Sequence, residues 1–223
     1  MTNPETDDPR EALAAAAREL ADAGLLVGTA GNVSTRLGDD RVLVTATGVV
    51  LGRCTADDVV ETDLAGTVVS GRLKPTSELT LHLDVYRRTF ARACVHTHSP
   101  AATAVACAPA RFGSMPVLHY QQILLGGEIR VAPYATFGTP ELAEHVLAAL
   151  DGRQAALMAH HGAVALGQDL RSAVDHALLV EWLAELLLRV SQVSEPVPLT
   201  EEQQLAVITQ ALERHYGTVQ ENP

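Results

Sequence analysis

Short β-rich pieces and amphipathic helical stretches alternate along this chain, with no linker long enough to part them, and that order most restricts its fold. A chain of this kind buries its apolar stripes by stacking helices on a sheet, so the order points to one α/β layer structure. The first helix is signalled by Asp8, Pro9 and Glu11, read as N-cap, first-turn proline and capping-box acid. Its apolar positions Leu13, Ala17, Leu20 and Ala21 run to a stop near Gly24. "NVSTR" and "RVLVT" around the turn-like "LGDD" predict a hairpin from Asn32 to Thr47. Leu79, Leu83, Tyr86 and Phe90 predict a helix from Thr76 to about Phe90, with the strand "ACVHTH" directly after it. Pro100 opens a small-residue helix, and Thr139, Pro140 and Glu141 open another. "AALMAH" and "GAVALG" read as two strands around a tight turn. A long helix follows from Asp169 to Val193, and Thr200 with Gln203 caps a last one ending near Tyr216 and Gly217.

With 223 residues, 47% of them hydrophobic, the chain can bury a substantial core as a single domain over 1–223, the ends 1–7 and 217–223 being expected to be flexible. A formal net charge of -11 without a basic patch excludes nucleic acid as an expected partner. Met1 to Arg10 lacks the order of an export signal and no apolar run reaches membrane-spanning length, so a soluble, cytoplasmic protein with no membrane partner is expected. Cys54, Cys94 and Cys107 are scattered and read as small buried residues. Lys74 is the sole lysine, so Schiff-base chemistry would have to use it.

Four of the nine histidines fall in "VHTH" and "HHG", patches that both read as strand or strand end. Residues two apart on a strand share a face, so His96 and His98 can aim at one point about 7 Å wide, as a metal pair does; taken alone, a strand histidine more often satisfies a core hydrogen bond or faces water. His160 and His161 would face opposite ways on a strand, so only one of them ligates. Glu78 stands at the start of the predicted helix, where an acid either complements the helix dipole or serves as a carboxylate ligand. His82, one turn on, forms a rival E-x-x-x-H arrangement or packs among Leu79, Leu81 and Leu83. "GTAGN", "TATG" and "PTS" offer hydroxyls and backbone N–H groups, the parts of a phosphate cradle in an acidic protein short of lysine; each alone is also an ordinary turn.

Taken together, "GTAGNVSTR", "TATGV", "KPTSE", "VHTH", "HYQQILLGG", "APYATFGT" and "HHGAVALG" resemble the class II aldolase/adducin family over almost the whole chain, and most of all its L-fuculose-phosphate aldolase branch. The resemblance implies a three-layer αβα domain with a central, largely antiparallel sheet. It implies Zn2+ held by Glu78, His96, His98 and His161, a ligand set that also suits other divalent transition metals. It implies phosphate binding by Thr29, Gly31, Asn32, Thr47, Gly48, Thr76 and Ser77, with Thr76 standing where the family usually has serine. Glu78 and Tyr120 become the catalytic residues, Tyr120 contributed across a subunit boundary of a homotetramer, and Phe137 and Tyr216 line the aldehyde side. The implied reaction is reversible cleavage of a ketose 1-phosphate, L-fuculose 1-phosphate or a 5-deoxypentulose 1-phosphate, to dihydroxyacetone phosphate and a small aldehyde. Rivals within the fold are a methylthioribulose-1-phosphate dehydratase, a pentulose-phosphate 4-epimerase, whose similar members carry aspartate at the place of Glu78, and a non-catalytic adducin-like interaction module. A zinc hydrolase would need no phosphate cradle.

Overall fold

The computed structural model describes residues 8–214; the expectations for the two ends and for Tyr216 lie outside the described residues. Nine strands form one sheet: β1 (Asn32–Leu37), β2 (Arg41–Thr45), β3 (Val59–Asp63), β4 (Val68–Ser70), β5 (Ala93–Thr97), β6 (Ser114–Met115), β7 (Ile129–Ala132), β8 (Ala155–Met158) and β9 (Gly162–Gly167). Their order is β4-β3-β2-β1-β5-β9-β8-β7-β6, and every junction except the parallel β7–β8 is antiparallel.

Helices α2 (Leu79–Arg88) and α4 (Pro140–Ala149) cover one face, burying Leu81, Val85, Leu142 and Val146 against Val42, Cys94, Met158 and Val164. The other face carries α1 (Pro9–Asp22), α3 (Pro100–Ala106) and α5 (Leu170–Val193), packed on Val33, Leu43, Val95 and Leu157. The alternation is visible on β5 itself, where Cys94 faces α2 and α4 while Ala93 and Val95 face α1 and α5. Each fully buried Leu or Val contributes about 1.5–3 kcal/mol of transfer free energy, which makes this three-layer sandwich the stable solution. A last helix, α6 (Glu201–Glu213), lies beyond the sandwich. Among the described residues no helix is long and apolar enough to cross a membrane.

Capping residues place most helix starts where the sequence suggests. Asp8 accepts from the Arg10 amide at 2.9 Å, and Thr200 and Gln203 close their capping box at the start of α6. Glu11 closes no box; its carboxylate pairs with Arg18 at 2.7 Å. α2 is shorter than predicted, because residues 75–78 are tied to β2: the Thr76 amide donates to the Thr45 carbonyl at 3.1 Å, and Pro75 bridges Ala46. The helix therefore begins at Leu79, with Glu78 as its N-cap and no cap bond from the Glu78 side chain. At the other end Phe90 lies past the helix and is 95% exposed, so it is no part of the apolar face. Cys54 and Cys94 are buried as expected, whereas Cys107, at the end of α3, is exposed.

Candidate metal centre and substrate pocket

The site begins where β5 runs out. His96 and His98 project from its end with their Nε2 atoms 2.9 Å apart and ring centroids separated by 4.7 Å. β9 is the antiparallel neighbour of β5, so the turn that enters β9 delivers His161 to the same point, with its ring 4.9 and 5.0 Å from the other two. The candidate ligand atoms of the three histidines all lie within 4.8 Å of one another. The residue after His161 must be glycine: a Cβ on Gly162 would stand 2.2 Å from the Thr97 carbonyl oxygen and 3.3 Å from the His96 ring.

His160 and His161, expected at a strand or strand end next to a tight turn, form the turn between β8 and β9. His160 has φ 57, a left-handed conformation that histidine tolerates better than most side chains, and its amide donates to the Ala106 carbonyl at 3.1 Å. It takes no place among the three clustered histidines; its side chain lies on the cavity wall beside Tyr134.

Glu78 brings a carboxylate to this cluster from the foot of α2. Its Oε2 is 3.1 Å from His96 Nε2 and accepts from Asn32 Nδ2 at 3.1 Å, while Oε1 is 3.6 Å from His161 Nε2. Oε1 is buried and has no hydrogen-bond partner. Burial pushes the Glu78 carboxyl pKa up, but the facing charges of His96 and His161 and the bonds from His96 and Asn32 outweigh it and hold the group ionised, well below the usual carboxylate range. His98 is lowered to about 4 by burial and then by the like charges of His96 and His161. Burial, with His96, also lowers His161, whereas Glu78 overcomes the burial of His96 and raises it.

A buried carboxylate with an orphaned oxygen, facing three imidazoles too close to hold a proton each, fits a divalent metal ion. Three nitrogens and one oxygen are the donor set of a catalytic zinc or related transition-metal site. Orientation fits as well, since His96 Nδ1 donates to the Ala163 carbonyl at 2.9 Å and leaves Nε2 to face the cluster. His82, the rival partner of Glu78, does not join: it is fully buried behind Asn32, bonding Asn32 Oδ1 through Nε2 and Ser34 Oγ through Nδ1.

A cavity of about 330 Å³ opens beside the cluster. One wall is built from the three loops singled out above, contributing Thr29, Gly31 and Asn32, then Thr47 and Gly48, then Thr76 and Ser77. The second and third loops are locked together by the Thr47 amide donating to the Lys74 carbonyl at 3.0 Å. Gly31 is required by its φ of 94 and by its closeness to β5, where a Cβ would meet the His96 carbonyl oxygen at 2.9 Å. Phe137, Tyr134 and His160 also line the cavity. Tyr134 was not assigned to the site from the sequence, although it sits in the same "APYATFGT" segment as Phe137. Lys74 does not line the cavity.

Tyr120 stands apart from this cavity within the single chain. It is 43% exposed, lies against the His119 ring at 4.6 Å, and borders a separate apolar hollow shared with Val207 and Ala211 of α6. The structure thus brings Glu78, His98, His161, the loop residues and Phe137 to one cavity, with His96 buried in contact with Glu78 and His98, and leaves Tyr120 outside it.

Comparison with known proteins accords with this geometry. The profile of the Class II Aldolase and Adducin N-terminal domain matches residues 11–188. The 5-methylthioribulose-1-phosphate/5-deoxyribulose-1-phosphate aldolase of Rhodospirillum rubrum is 43% identical over 189 residues, covering 84% of this chain and 83% of that protein. The L-fuculose phosphate aldolase of Escherichia coli K12 is 40% identical over 201 residues, covering 89% and 91%. A solved L-fuculose 1-phosphate aldolase superposes with a TM-score of 0.86 at 32% identity, covering 92% of this chain and 96% of that one. On fold, site and sequence together, the chain belongs to the class II aldolase and adducin family.

Proposed function

We propose that this protein is a zinc-dependent aldolase that reversibly cleaves a ketose 1-phosphate to dihydroxyacetone phosphate and a small aldehyde. The observation that carries this reading is one cavity with a histidine–carboxylate cluster at its floor and three hydroxyl- and amide-rich loops along one wall. Glu78, His96, His98 and His161 would hold the metal, which when bound supplies Lewis acidity for carbonyl polarisation.

The loop residues Thr29, Gly31, Asn32, Thr47, Gly48, Thr76 and Ser77 bind the phosphate and orient the substrate. In cleavage the bond between the third and fourth carbons breaks, the fourth-carbon hydroxyl loses its proton, and the third carbon gains one. Glu78 carries the carbon-bound proton, delivering it in cleavage and removing it in synthesis, a role suited to a carboxylate with one oxygen uncommitted. Tyr120 serves the hydroxyl proton from a neighbouring subunit of a homotetramer, a reading supported by its exposure outside its own chain's cavity. Phe137 lines the aldehyde side with Tyr134, and the family resemblance assigns Tyr216, outside the described residues, to the same role.

Both L-fuculose 1-phosphate and 5-deoxypentulose 1-phosphates suit this arrangement, and the names of the relatives include both classes. Glu78, where similar epimerases carry aspartate, disfavours the epimerase reading, and retention of the full ligand set disfavours a non-catalytic module. Incubation of the metal-loaded protein with L-fuculose 1-phosphate and with 5-deoxyribulose 1-phosphate, followed by enzymatic assay of dihydroxyacetone phosphate, tests the proposal. Release from either substrate is expected; no release from both overturns it.

A further inference from the structure

Behind Glu78 a chain of buried polar side chains crosses an otherwise apolar layer. Glu78, His82 and Tyr86 are spaced by four and form one stripe along α2, while Asn32 and Ser34 are spaced by two on the facing side of β1. The two rows interlock. Asn32 Nδ2 donates to Glu78 Oε2 at 3.1 Å, Asn32 Oδ1 bonds His82 Nε2, His82 Nδ1 bonds Ser34 Oγ at 2.6 Å, and Ser34 Oγ bonds the Tyr86 hydroxyl at 2.6 Å. Ser34 and His82 are 0% exposed, and Leu81, Val85 and Cys94 belong to the same apolar layer as Tyr86.

The direction of every bond follows from one end. An ionised carboxylate only accepts, so Asn32 must present its NH2 group to Glu78 and its carbonyl oxygen to His82. That oxygen needs a donor, so His82 carries its proton on Nε2 and offers Nδ1 as an acceptor. Nδ1 then takes the Ser34 hydroxyl proton, and Ser34 in turn accepts from the phenol of Tyr86. Reversing any link leaves two donors or two acceptors face to face without water. Packing alone does not explain the arrangement, because an apolar stripe would fill the same interface without the desolvation of buried polar groups.

We propose that Ser34, His82 and Tyr86 are positioning residues that hold the Asn32 amide in the one orientation able to pin Glu78 Oε2 beside His96, leaving Oε1 without a hydrogen-bond partner and 3.6 Å from His161 Nε2. The inference rests on the metal-site reading under Proposed function. Its consequence is that side chains touching neither metal nor substrate tune the affinity of the site, acting through Asn32.

The test is the zinc dissociation constant of the full-length protein, measured by competition with a chromophoric chelator, alongside thermal melts. Ser34→Ala and His82→Leu are expected to weaken zinc binding on the order of 10-fold, the scale on which partners of metal ligands act. Tyr86→Phe, which removes only the last link, weakens it less. Val85→Ala opens a cavity in the same helix without touching the chain, so its melt falls while its zinc affinity stays within about twofold. The double variant Asn32→Ala/Ser34→Ala should bind zinc no more weakly than Asn32→Ala alone, because Ser34 has then lost the residue it acts through. Wild-type affinity in Ser34→Ala and His82→Leu, or losses that multiply in the double variant, overturns the proposal; should either single variant fail to fold, the other, read against Val85→Ala, decides. Failure of the ketose 1-phosphate assay with this zinc pattern intact counts against the proposed function alone, whereas unchanged zinc affinities in a protein that cleaves those substrates count against the relay alone.

Discussion

Glu181 offers a sharp test of how the scaffold holds the site. Its carboxylate reaches from α5 to the start of α3, accepting from the Ala101 amide at 2.8 Å and the Ala102 amide at 2.9 Å. α3 begins at Pro100, two residues after His98, and its N-cap Ser99 makes no side-chain cap bond, so Glu181 does the capping. Glu181→Gln keeps the size of the side chain but presents an NH2 group to one of the two amides. One charge-assisted bond becomes a neutral one and the other amide is left unpaired, a cost of about 3 kcal/mol in total. For a domain of this length that corresponds to a fall in Tm of roughly 6–12 °C. Glu185→Gln is the control, since Glu185 makes only an exposed pair with Arg189 at 3.2 Å, worth well under 1 kcal/mol. Differential scanning fluorimetry of both variants against the wild type measures the effect. A Glu181→Gln melt within about 2 °C of the Glu185→Gln melt would refute the capping account.

Glu78→Gln should lower turnover by at least about 100-fold while circular dichroism stays native, because the amide cannot carry the proton; near-normal turnover would remove Glu78 from that role. His161→Ala deletes one corner of the histidine cluster and should lower the zinc content of purified protein, measured by atomic absorption; full occupancy would take His161 out of the ligand set. Gly162→Ala forces a methyl onto the Thr97 carbonyl oxygen and should cost both stability and metal, an outcome that unchanged melts would exclude. His82 is lowered from 6.5 to about 4, by burial first, with the charge of Glu78 opposing and that of His96 adding to it. Between those values the unfolded chain binds a proton that the folded one refuses, so the stability present above pH 6.5 declines as pH falls and levels off below about 4. The loss approaches about 3 kcal/mol, read as the difference in urea unfolding between metal-free wild type and His82→Leu; parallel pH curves for the two would contradict it.

Much of this was legible before any coordinates. The pairing of His96 with His98 follows from the two-residue period of a strand, and the structure leaves their Nε2 atoms 2.9 Å apart. Helix starts at Asp8, Thr139, Asp169 and Thr200 were readable because capping is a local bargain between a side chain and nearby amides. The start of α2 was not, because the ladder bonds from β2 that hold residues 75–78 out of the helix come from thirty residues away in sequence. Tyr134 was likewise hidden, since nothing local marks which aromatic ring faces a cavity.

By itself the sequence determined what is periodic or local: the alternation of strands and helices, their caps, the histidine pair and the loops rich in hydroxyls and glycine. Only the tertiary structure decided what depends on which strands are neighbours. Placing β9 against β5 selected His161 for the cluster over His160, which the left-handed turn sends to the cavity wall. Packing α2 across β1 turned His82 from a rival ligand into the support of Asn32 and left Glu78 with one oxygen pinned and one uncommitted. The physical reason is that a residue's type limits the bonds its side chain can make, whereas the partner that meets it is set by chain segments far away in sequence and brought close by burial of the core.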